Sequence, residues 1–330
     1  MAEIIELSDS ALEDALNLAA KYPFKPYSFY DFDGTGVEKY FRSHLLDLYK
    51  SDNKFNVLIG PNNKIVGLGA WGNLHWDSNQ LKQNVGRLHF LSGLHKTYEE
   101  ECRTREIILK KILEDVNSLG LDYMIARFES TDHSIIHLLE KYGFITLDCF
   151  VTLFRKLADV PRKLCDSSQF NIREAIESDL GNIKKIAYSS YTFDRFHVDP
   201  AINNNFANHL HAVWTENCLM GKEADVVLCA EQKGVILGYV ACKINKKIKE
   251  FLDVGIGNIV LSAISKEYRG KGIAQALIHE SYQWLKNNCI DFIEVGTQIQ
   301  NTKALGLYQK MGFNIVSSSL TLRRVFNNNG

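Results

Sequence analysis

The amino-acid sequence predicts an α/β protein built from two tandem domains of the same kind. The chain has 330 residues, which is more than a domain with a single hydrophobic core usually contains. Its 45% apolar and 23% charged residues are typical of a globular protein. One pattern occurs twice, as LLEKYGF at residues 138–144 and as LYQKMGF at residues 307–313. We therefore predict one domain over residues 1–157 and a second over residues 158–330. β-rich runs flank both copies, at residues 123–128 and 145–154, and at residues 292–295 and 314–325.

Each predicted domain also contains a strand hairpin at the same place in the repeat. Residues 56–59 and 64–68 form the first hairpin, and residues 225–228 and 235–239 form the second, because two apolar strands flank a polar turn in both. The domain boundary falls where residues 158–163 interrupt the periodicity. The sheet of each domain is therefore expected to be mixed, mostly antiparallel and twisted.

The second half shows the order of elements most clearly. It begins with a predicted helix over residues 174–189 and continues through an irregular and helical stretch over residues 191–220 to the hairpin. Strand–helix–strand with a short turn on each side implies a central parallel pair, a right-handed crossover and flanking helices. The elements after the hairpin are a strand at 258–264, a helix at 272–287, a strand at 292–298, a helix at 302–311 and the last strand.

Composition excludes several classes of function. A formal net charge of -1 provides no global basic field, so neither nucleic acid nor an anionic membrane is expected as a partner. The apolar runs are far shorter than the ~20 residues of a membrane-spanning helix. The acidic start, MAEIIE, argues against a secretory or mitochondrial signal, so a cytoplasmic protein is expected.

The cysteines favour reduced thiols. Seven is an odd number, and no C-x-x-C pair occurs, so neither a disulfide framework nor a tetrahedral zinc site is expected, and no metal is predicted. A catalytic cysteine is the weaker alternative, because a buried cysteine usually behaves as a small hydrophobe.

The segment EYRGKGIA at residues 267–274 is the candidate binding loop. Two glycines and the small Ala274 allow close approach of the backbone, and the loop opens a predicted helix, where amide groups and the macrodipole attract anions. Arg269 and Lys271 add positive charge. The loop is neither a Walker A loop nor a three-glycine dinucleotide fingerprint. The alternative is a glycine-rich turn that only permits tight packing.

In this region the chain resembles the GNAT superfamily of acyl-CoA-dependent N-acetyltransferases. The family pattern (R/Q)-x-x-G-x-(G/A) is met by Arg269, Gly272 and Ala274. The resemblance implies that loop amides hold the pyrophosphate of coenzyme A and that the preceding strand, which diverges from its neighbour to open a V-shaped slot, pairs with the pantetheine amides. A second family pattern is met by Asn301, Ala304, Leu307, Tyr308, Gly312 and Phe313. The implied coenzyme-binding residues are Leu261, Ser262, Ala263, Tyr268, Arg269, Gly270, Lys271, Gly272, Ile273, Ala274 and Asn301.

The resemblance also implies that Tyr308 is the catalytic acid that protonates the departing thiolate. The chemistry is reasonable because the pKa values of a phenol (~10) and an alkyl thiol (~8.5) are close enough for proton sharing. The alternative interpretation of Tyr308 is a core aromatic residue on an amphipathic helix. Asn301 could be the N-cap of the same helix, and this role is compatible with a coenzyme contact.

The first half lacks the same residues. At a shift of about 169 positions, the loop is replaced by YEEECR at residues 98–103, Tyr308 by Leu139 and Asn301 by Asp132. Three carboxylates and no glycine would repel a phosphate and block the approach of the backbone. We therefore predict a degenerate GNAT copy without a coenzyme site, which serves as a packing partner or as a wall of the acceptor pocket. A second coenzyme site with different chemistry is the alternative.

The amine acceptor is predicted only from a finer resemblance. A similarity to TDP-fucosamine acetyltransferases, which acetylate an amino group of a nucleotide-linked sugar, is found in residues 195–200, 210, 214–217, 221, 296–302 and 320–325. Leu307 differs, because it stands where a basic residue is common. His197 and Glu294 are the candidates for binding or deprotonating the acceptor. A protein or peptide amine, a polyamine or an aminoglycoside is an alternative acceptor, and an acyl-CoA-binding module without turnover is the non-enzymatic alternative. The oligomeric state stays open, a homodimer included.

Overall fold

The structure is a computed structural model. It describes residues 3–51, 53–93, 97–160 and 169–326. None of the helices in these ranges combines the length and the hydropathy that crossing a bilayer requires. Cys165 lies outside the described residues, and the other cysteines are free thiols.

The chain divides into two compact units that differ from the predicted domains. The first unit comprises Met1–Cys149 together with Ser318–Gly330, and the second comprises Phe150–Ser317. The sequence placed the boundary between residues 157 and 158. The difference arises because most of the last strand of each half belongs to the unit formed by the other half.

The first unit is built on a sheet with the strand order β1-β2-β3-β4-β5-β12. The strands of the first half are β1 (Glu3–Glu6), β2 (Asn53–Ile59), β3 (Ile65–Asn73), β4 (Val85–Ser92), β5 (Tyr123–Glu129) and β6 (Ile145–Lys156). Its helices are α1 (Leu12–Ala19), α2 (Gly34–Lys50), α3 (His75–Leu81), α4 (Tyr98–Ser118) and α5 (His133–Lys141). Strands β4 and β5 are parallel, from Val85 opposite Tyr123 to Leu88 opposite Ala126. The end of β12 (Asn314–Val325) runs antiparallel to β5 and places Leu322 in the core of this unit.

The second unit has the corresponding sheet, with the order β6-β11-β10-β9-β8-β7. Its further strands are β7 (Asn171–Glu174), β8 (Val226–Gln232), β9 (Val235–Ile244), β10 (Ile256–Ile264) and β11 (Phe292–Gln298). Its helices are α6 (Leu180–Ser190), α7 (Arg195–Val198), α8 (Asn204–Leu219), α9 (Lys246–Leu252), α10 (Ile273–Asn287) and α11 (Thr302–Lys310). Strands β10 and β11 are parallel, and β11 pairs on its other side with residues 150–156 of β6 in antiparallel register.

Helices pack on both faces of the second sheet, because its side chains alternate between the two faces. Ile183 of α6 and Cys218 of α8 pack with Tyr239 and Leu261 in one buried cluster. From α10, Tyr282 is fully buried and donates its hydroxyl to the carbonyl oxygen of Met311 at 3.0 Å. Helices therefore flank the sheet on both sides, as successive strand residues point to opposite faces.

The sequence predictions of fold class, of the two hairpins and of the parallel strand pair are confirmed. One predicted boundary is wrong. The helix expected from residue 174 begins only at Leu180, because residues 171–174 pair antiparallel with β8. Arg173 stabilises this arrangement, since it donates to Asp179 at 2.7 Å and to Glu231 at 2.8 Å.

Candidate active site

Strands β10 and β11 separate within the second sheet. Their parallel pairing runs from Ile256 opposite Phe292 to Ile259 opposite Val295. Beyond this point the described pairing of β10 is with β9, and that of β11 is with β6. A register shift in β10 between Ile259 and Leu261 marks a bulge, which bends a strand locally. The two strands thus bound a slot along residues 261–263, with Leu261 and Ala263 buried and Ser262 on the opposite face.

The glycine loop leads from β10 to the start of α10. Gly270 and Gly272 have φ values of +78° and +79°, a region that side-chain-bearing residues rarely adopt. A Cβ atom on Gly270 would meet nothing within 4 Å, and on Gly272 it would meet only the Gln275 side chain at 3.9 Å. The loop backbone is therefore open to a ligand. The glycines are required by conformation and not by tight packing, contrary to the alternative weighed from the sequence.

The start of α10 supplies an electrostatic environment for an anion. Helix geometry leaves the first-turn amides, those of Ile273 and Ala274 included, without intrahelical acceptors, and the helix dipole adds positive potential there. The Lys271 ammonium lies 4.9 Å from the centre of the Tyr268 ring. The exposed Arg269 donates its Nε–H to the carbonyl oxygen of Ile264 at 3.1 Å. These contacts keep both cations at the loop, where a pyrophosphate would bind.

Tyr308 lies beside the slot. Its side chain is 5% exposed and packs edge-on against Phe313, and its Oη is 3.5 Å from Ser262 Oγ on β10. Burial raises the pKa of Tyr308 above its ordinary value, although the contact with Ser262 opposes this shift. The phenol is therefore neutral at physiological pH and holds a proton that it can donate into the slot.

Asn301 connects α11 to β11. Its Oδ1 accepts the Ala304 N–H at 3.3 Å, which makes it the N-cap of the helix, and its Nδ2 donates to Thr297 Oγ1 at 3.2 Å. Because Tyr308 lies two turns further along α11, these contacts also orient the phenol. The predicted capping role is confirmed. A coenzyme contact of Asn301 stays a prediction.

A hydroxyl network on the other face of the sheet was not predicted from the sequence. Tyr191 Oη lies 3.0 Å from Tyr239 Oη and 3.3 Å from the carbonyl oxygen of Ser262, and Tyr239 Oη lies 2.9 Å from Thr215 Oγ1. Burial raises the pKa of Tyr239 to about 12 and that of Tyr191 above its ordinary value. These side chains come from separate elements. In the sequence, only the position of Tyr239 on an apolar strand could have indicated a buried hydroxyl in this network.

The two candidate acceptor residues lie in different surroundings. Glu294, 9% exposed, is on β11 one residue before the strands separate. His197 has a partner for each ring nitrogen, Asp194 Oδ2 at 2.6 Å from Nδ1 and Asn208 Oδ1 at 2.9 Å from Nε2. Burial lowers the pKa of His197, but the hydrogen bond and charge of Asp194 outweigh it and raise the pKa overall. His197 in α7 is thus held within a polar cluster by its own N-cap residue Asp194 and by Asn208 of α8.

The corresponding region of the first unit is closed by its own side chains. The carboxylate of Glu101 accepts the Gly93 N–H, which follows β4, at 2.8 Å. Arg105 donates to Glu101 at 2.6 Å and to Asp132 at 2.7 Å, and Tyr22 also donates to Asp132, at 2.7 Å. Arg105 is only 3% exposed. An internal network of buried charges therefore lies where the second unit has an open glycine loop.

A family model described as "Acetyltransferase (GNAT) family" matches residues 187–313 of the chain. Residues 187–313 form a GNAT acetyltransferase domain. The match contains the slot, the glycine loop and Tyr308, and it confirms the sequence prediction of a GNAT acetyltransferase domain in the second half. Coenzyme A fits the site, because the loop backbone is open at Gly270 and Gly272, where a side chain would fill the space.

Relatives and solved structures extend this likeness over most of the chain. The chain is 24% identical over 283 residues to the spore coat polysaccharide biosynthesis protein SpsD of Bacillus subtilis, covering 84% of the chain and 90% of SpsD. A 57-residue stretch is 40% identical to N-alpha-acetyltransferase 30 of Schizosaccharomyces pombe, which covers 17% of the chain and 38% of that protein. A GCN5-related N-acetyltransferase from Sphaerobacter thermophilus has the same fold, with a TM-score of 0.67, 13% identity and coverage of 98% and 95% of the two chains. A tandem GNAT protein from the clavulanic acid biosynthesis pathway superposes with a TM-score of 0.57 and 10% identity over 98% of each chain.

Proposed function

We propose that the second unit transfers an acetyl group from acetyl-CoA directly to a primary amine of a small molecule, a nucleotide-linked amino sugar in particular. One observation carries the proposal. The slot between β10 and β11 has an open, positively charged glycine loop at the end of β10 and a buried, neutral phenol beside it. This arrangement suits a thioester that carries a diphosphate, because the loop can bind the phosphates and the phenol can donate a proton to the thioester sulfur.

Each part of the site has a role in this reaction. The amides of Gly270 to Ala274 and the side chains of Arg269 and Lys271 would hold the phosphates. The backbone of residues 261–263 would pair with the pantetheine amides and polarise the acyl carbonyl. The coenzyme would supply an acetyl thioester. Tyr308 would donate its hydroxyl proton to the departing sulfur, without a covalent enzyme intermediate.

Two features support an amino sugar as the acceptor. Residues 195–200 and 296–302 resemble TDP-fucosamine acetyltransferases, and the relative SpsD is described as a spore coat polysaccharide biosynthesis protein. The amine must lose a proton before attack. Glu294 is the better placed candidate for this step because it precedes the separation of the strands, whereas both ring nitrogens of His197 already have protein partners. His197 would instead hold α7 against α8 through its contact with Asn208.

The first unit would contribute no coenzyme site. Its Glu101 carboxylate already accepts the amide that follows β4, and Leu139, fully buried, replaces the catalytic phenol.

Release of coenzyme A thiol from acetyl-CoA tests the proposal directly. The full chain would be incubated with nucleotide-linked amino sugars, aminoglycosides, polyamines and peptides with free N-termini. The proposal predicts turnover with the amino sugars above that with the other amines. Preference for peptides would favour N-terminal acetylation, to which the short stretch similar to N-alpha-acetyltransferase 30 points. Binding of acetyl-CoA without thiol release for any amine would indicate a non-catalytic module.

A further inference from the structure

We propose that Asp194, His197 and His211 form a binding site for one divalent transition-metal ion, zinc by preference, between α7 and α8. One donor atom from each of these three residues lies within 4.8 Å of the others. The site is buried, with side chains that are 15%, 7% and 3% exposed, respectively. Two imidazoles and one carboxylate are a donor set that suits zinc and its neighbours in the first transition row.

The carboxylate and the first imidazole are oriented from outside the cluster. Asp194 Oδ1 accepts the Phe196 N–H at 3.0 Å, which leaves Oδ2 directed at both imidazoles. His197 Nε2 lies 2.9 Å from Asn208 Oδ1, and with this orientation of the amide Nε2 donates its N–H and Nδ1 is directed at Asp194. Outer hydrogen bonds of this kind are regular companions of metal ligands.

In this orientation a proton or a metal ion lies between Asp194 Oδ2 and His197 Nδ1. The lone pair of Nδ1 faces Oδ2 at 2.6 Å, and two lone pairs at that distance repel unless a proton or a metal ion joins them. The structure as it stands is satisfied by a proton. A metal ion would displace that proton.

A proton between Asp194 and His197 does not explain the surroundings of His211. This side chain is almost fully buried, and in the part of the chain that the structure describes neither ring nitrogen has a hydrogen-bond partner. A buried polar group without a partner costs about 1–3 kcal/mol. Its Nε2 lies 3.3 Å from Asp194 Oδ2, out of hydrogen-bond geometry. A metal ion bound to both atoms would satisfy the ring.

The spacing of the donors is compatible with a tetrahedral ion. Zinc bonds to nitrogen and oxygen of about 2.0–2.1 Å place tetrahedral ligands about 3.3 Å apart. The separation between Asp194 Oδ2 and His211 Nε2 already has this value. The 2.6 Å separation from His197 would widen by about 0.7 Å. Three protein donors leave a fourth position for water.

An ion here would act on the wall of the slot. The His211 ring stacks on that of Tyr191 with centres 4.1 Å apart, and Tyr191 Oη lies 3.3 Å from the carbonyl oxygen of Ser262. Fixing His211 would therefore fix Tyr191 beside residues 261–263.

Metal titration of the full chain tests the site. Protein stripped with a chelator would be titrated with Zn²⁺ alone by calorimetry and with Co²⁺ alone by absorption. We expect one ion per chain and Co²⁺ bands in the visible range without the near-ultraviolet charge transfer of thiolate ligands. Asp194→Asn and His211→Gln should each weaken binding by about 10–100-fold. His209→Gln, an exposed position on the same helix, is the matched control and should bind as the wild type does.

Two further measurements keep the result decisive. Asn retains a cap acceptor for α7, so Asp194→Asn should keep the fold, and circular dichroism in chelator would verify this for every variant. Zinc should raise the midpoint of thermal unfolding of the wild type but not that of Asp194→Asn. Absence of binding, unchanged affinity in Asp194→Asn or a thiolate charge-transfer band would each overturn the proposal.

Discussion

The two units of this chain share one sheet design and differ at the turn that follows the first parallel strand. In both, a parallel pair is followed by a bulge, between Ala70 and Trp71 in the pairing of β3 with β4 and between Ile259 and Leu261 in β10. In the first unit the Glu101 carboxylate accepts a hydrogen bond from the Gly93 N–H beyond the strand. In the second unit two glycines leave the loop backbone open. Both sheets therefore have the same local geometry at this point, and we propose that the loop decides whether a coenzyme can bind.

The same comparison concerns stability. Arg105 is buried between the carboxylates of Glu101 and Asp132, so the first unit depends on charges that compensate one another. The loop charges of the second unit, on Arg269 and Lys271, are exposed. One unit uses its charged side chains for its own structure, and the other would use them for a ligand.

The largest expected effect distinguishes the units by turnover. Tyr308→Phe should lower kcat by roughly 10²–10⁴, equivalent to about 3–5 kcal/mol, because the acid is lost while the ring still packs on Phe313. The matched change in the first unit, Leu139→Met, should leave kcat unaltered. Steady-state kinetics with circular dichroism as a folding control measures both, and equal turnover of Tyr308→Phe and wild type would remove Tyr308 from the mechanism.

The next effect distinguishes the units by stability. Arg105→Met should lower the free energy of unfolding by about 3–5 kcal/mol, because it removes the cation that pairs with the buried Asp132 and with the partly buried Glu101. Arg269→Met, at an exposed position, should change stability by no more than about 0.5 kcal/mol and should raise the KM for acetyl-CoA. Urea denaturation compares the two variants. A mild effect of Arg105→Met would show that the network is dispensable.

A smaller effect is expected at the helix cap. Asn301→Ala should cost about 1 kcal/mol of stability through loss of the hydrogen bond to the Ala304 amide. If Asn301 also contacts the coenzyme, the KM for acetyl-CoA rises as well. Thermal unfolding and kinetics separate these roles, and an unchanged KM would restrict Asn301 to capping.

The smallest expected effect is on the alkaline pH dependence. Burial raises the pKa of Tyr308 above 10, so its active, protonated form persists as the pH rises towards that value. The kcat of the wild type should therefore show no loss from this group between pH 7 and pH 9.5. An alkaline limb in that range that disappears in Tyr308→Phe would contradict the assigned acid.

The sequence predicted the parts of the molecule that are local in the chain. The glycine loop and Tyr308 belong to short patterns, and turn chemistry and helical spacing place their residues without knowledge of the tertiary structure. The exchange of β6 and β12 was not predictable, because both strands have the same apolar character and nothing local specifies the partner edge. The contacts of Tyr191 with Tyr239, and of Asp194 with His211, depend on packing between separate elements and left no pattern in the sequence.

We propose that this chain binds coenzyme A at the glycine loop of the second unit and at no second site. Titration calorimetry with coenzyme A tests it on the wild type and on Gly272→Val, whose substitution places a β-branched residue at a φ of +79° beside the open loop. One molecule should bind per chain, and Gly272→Val should lose that binding while its far-ultraviolet spectrum is retained. Two molecules bound per chain, or unaltered affinity in Gly272→Val, would contradict it.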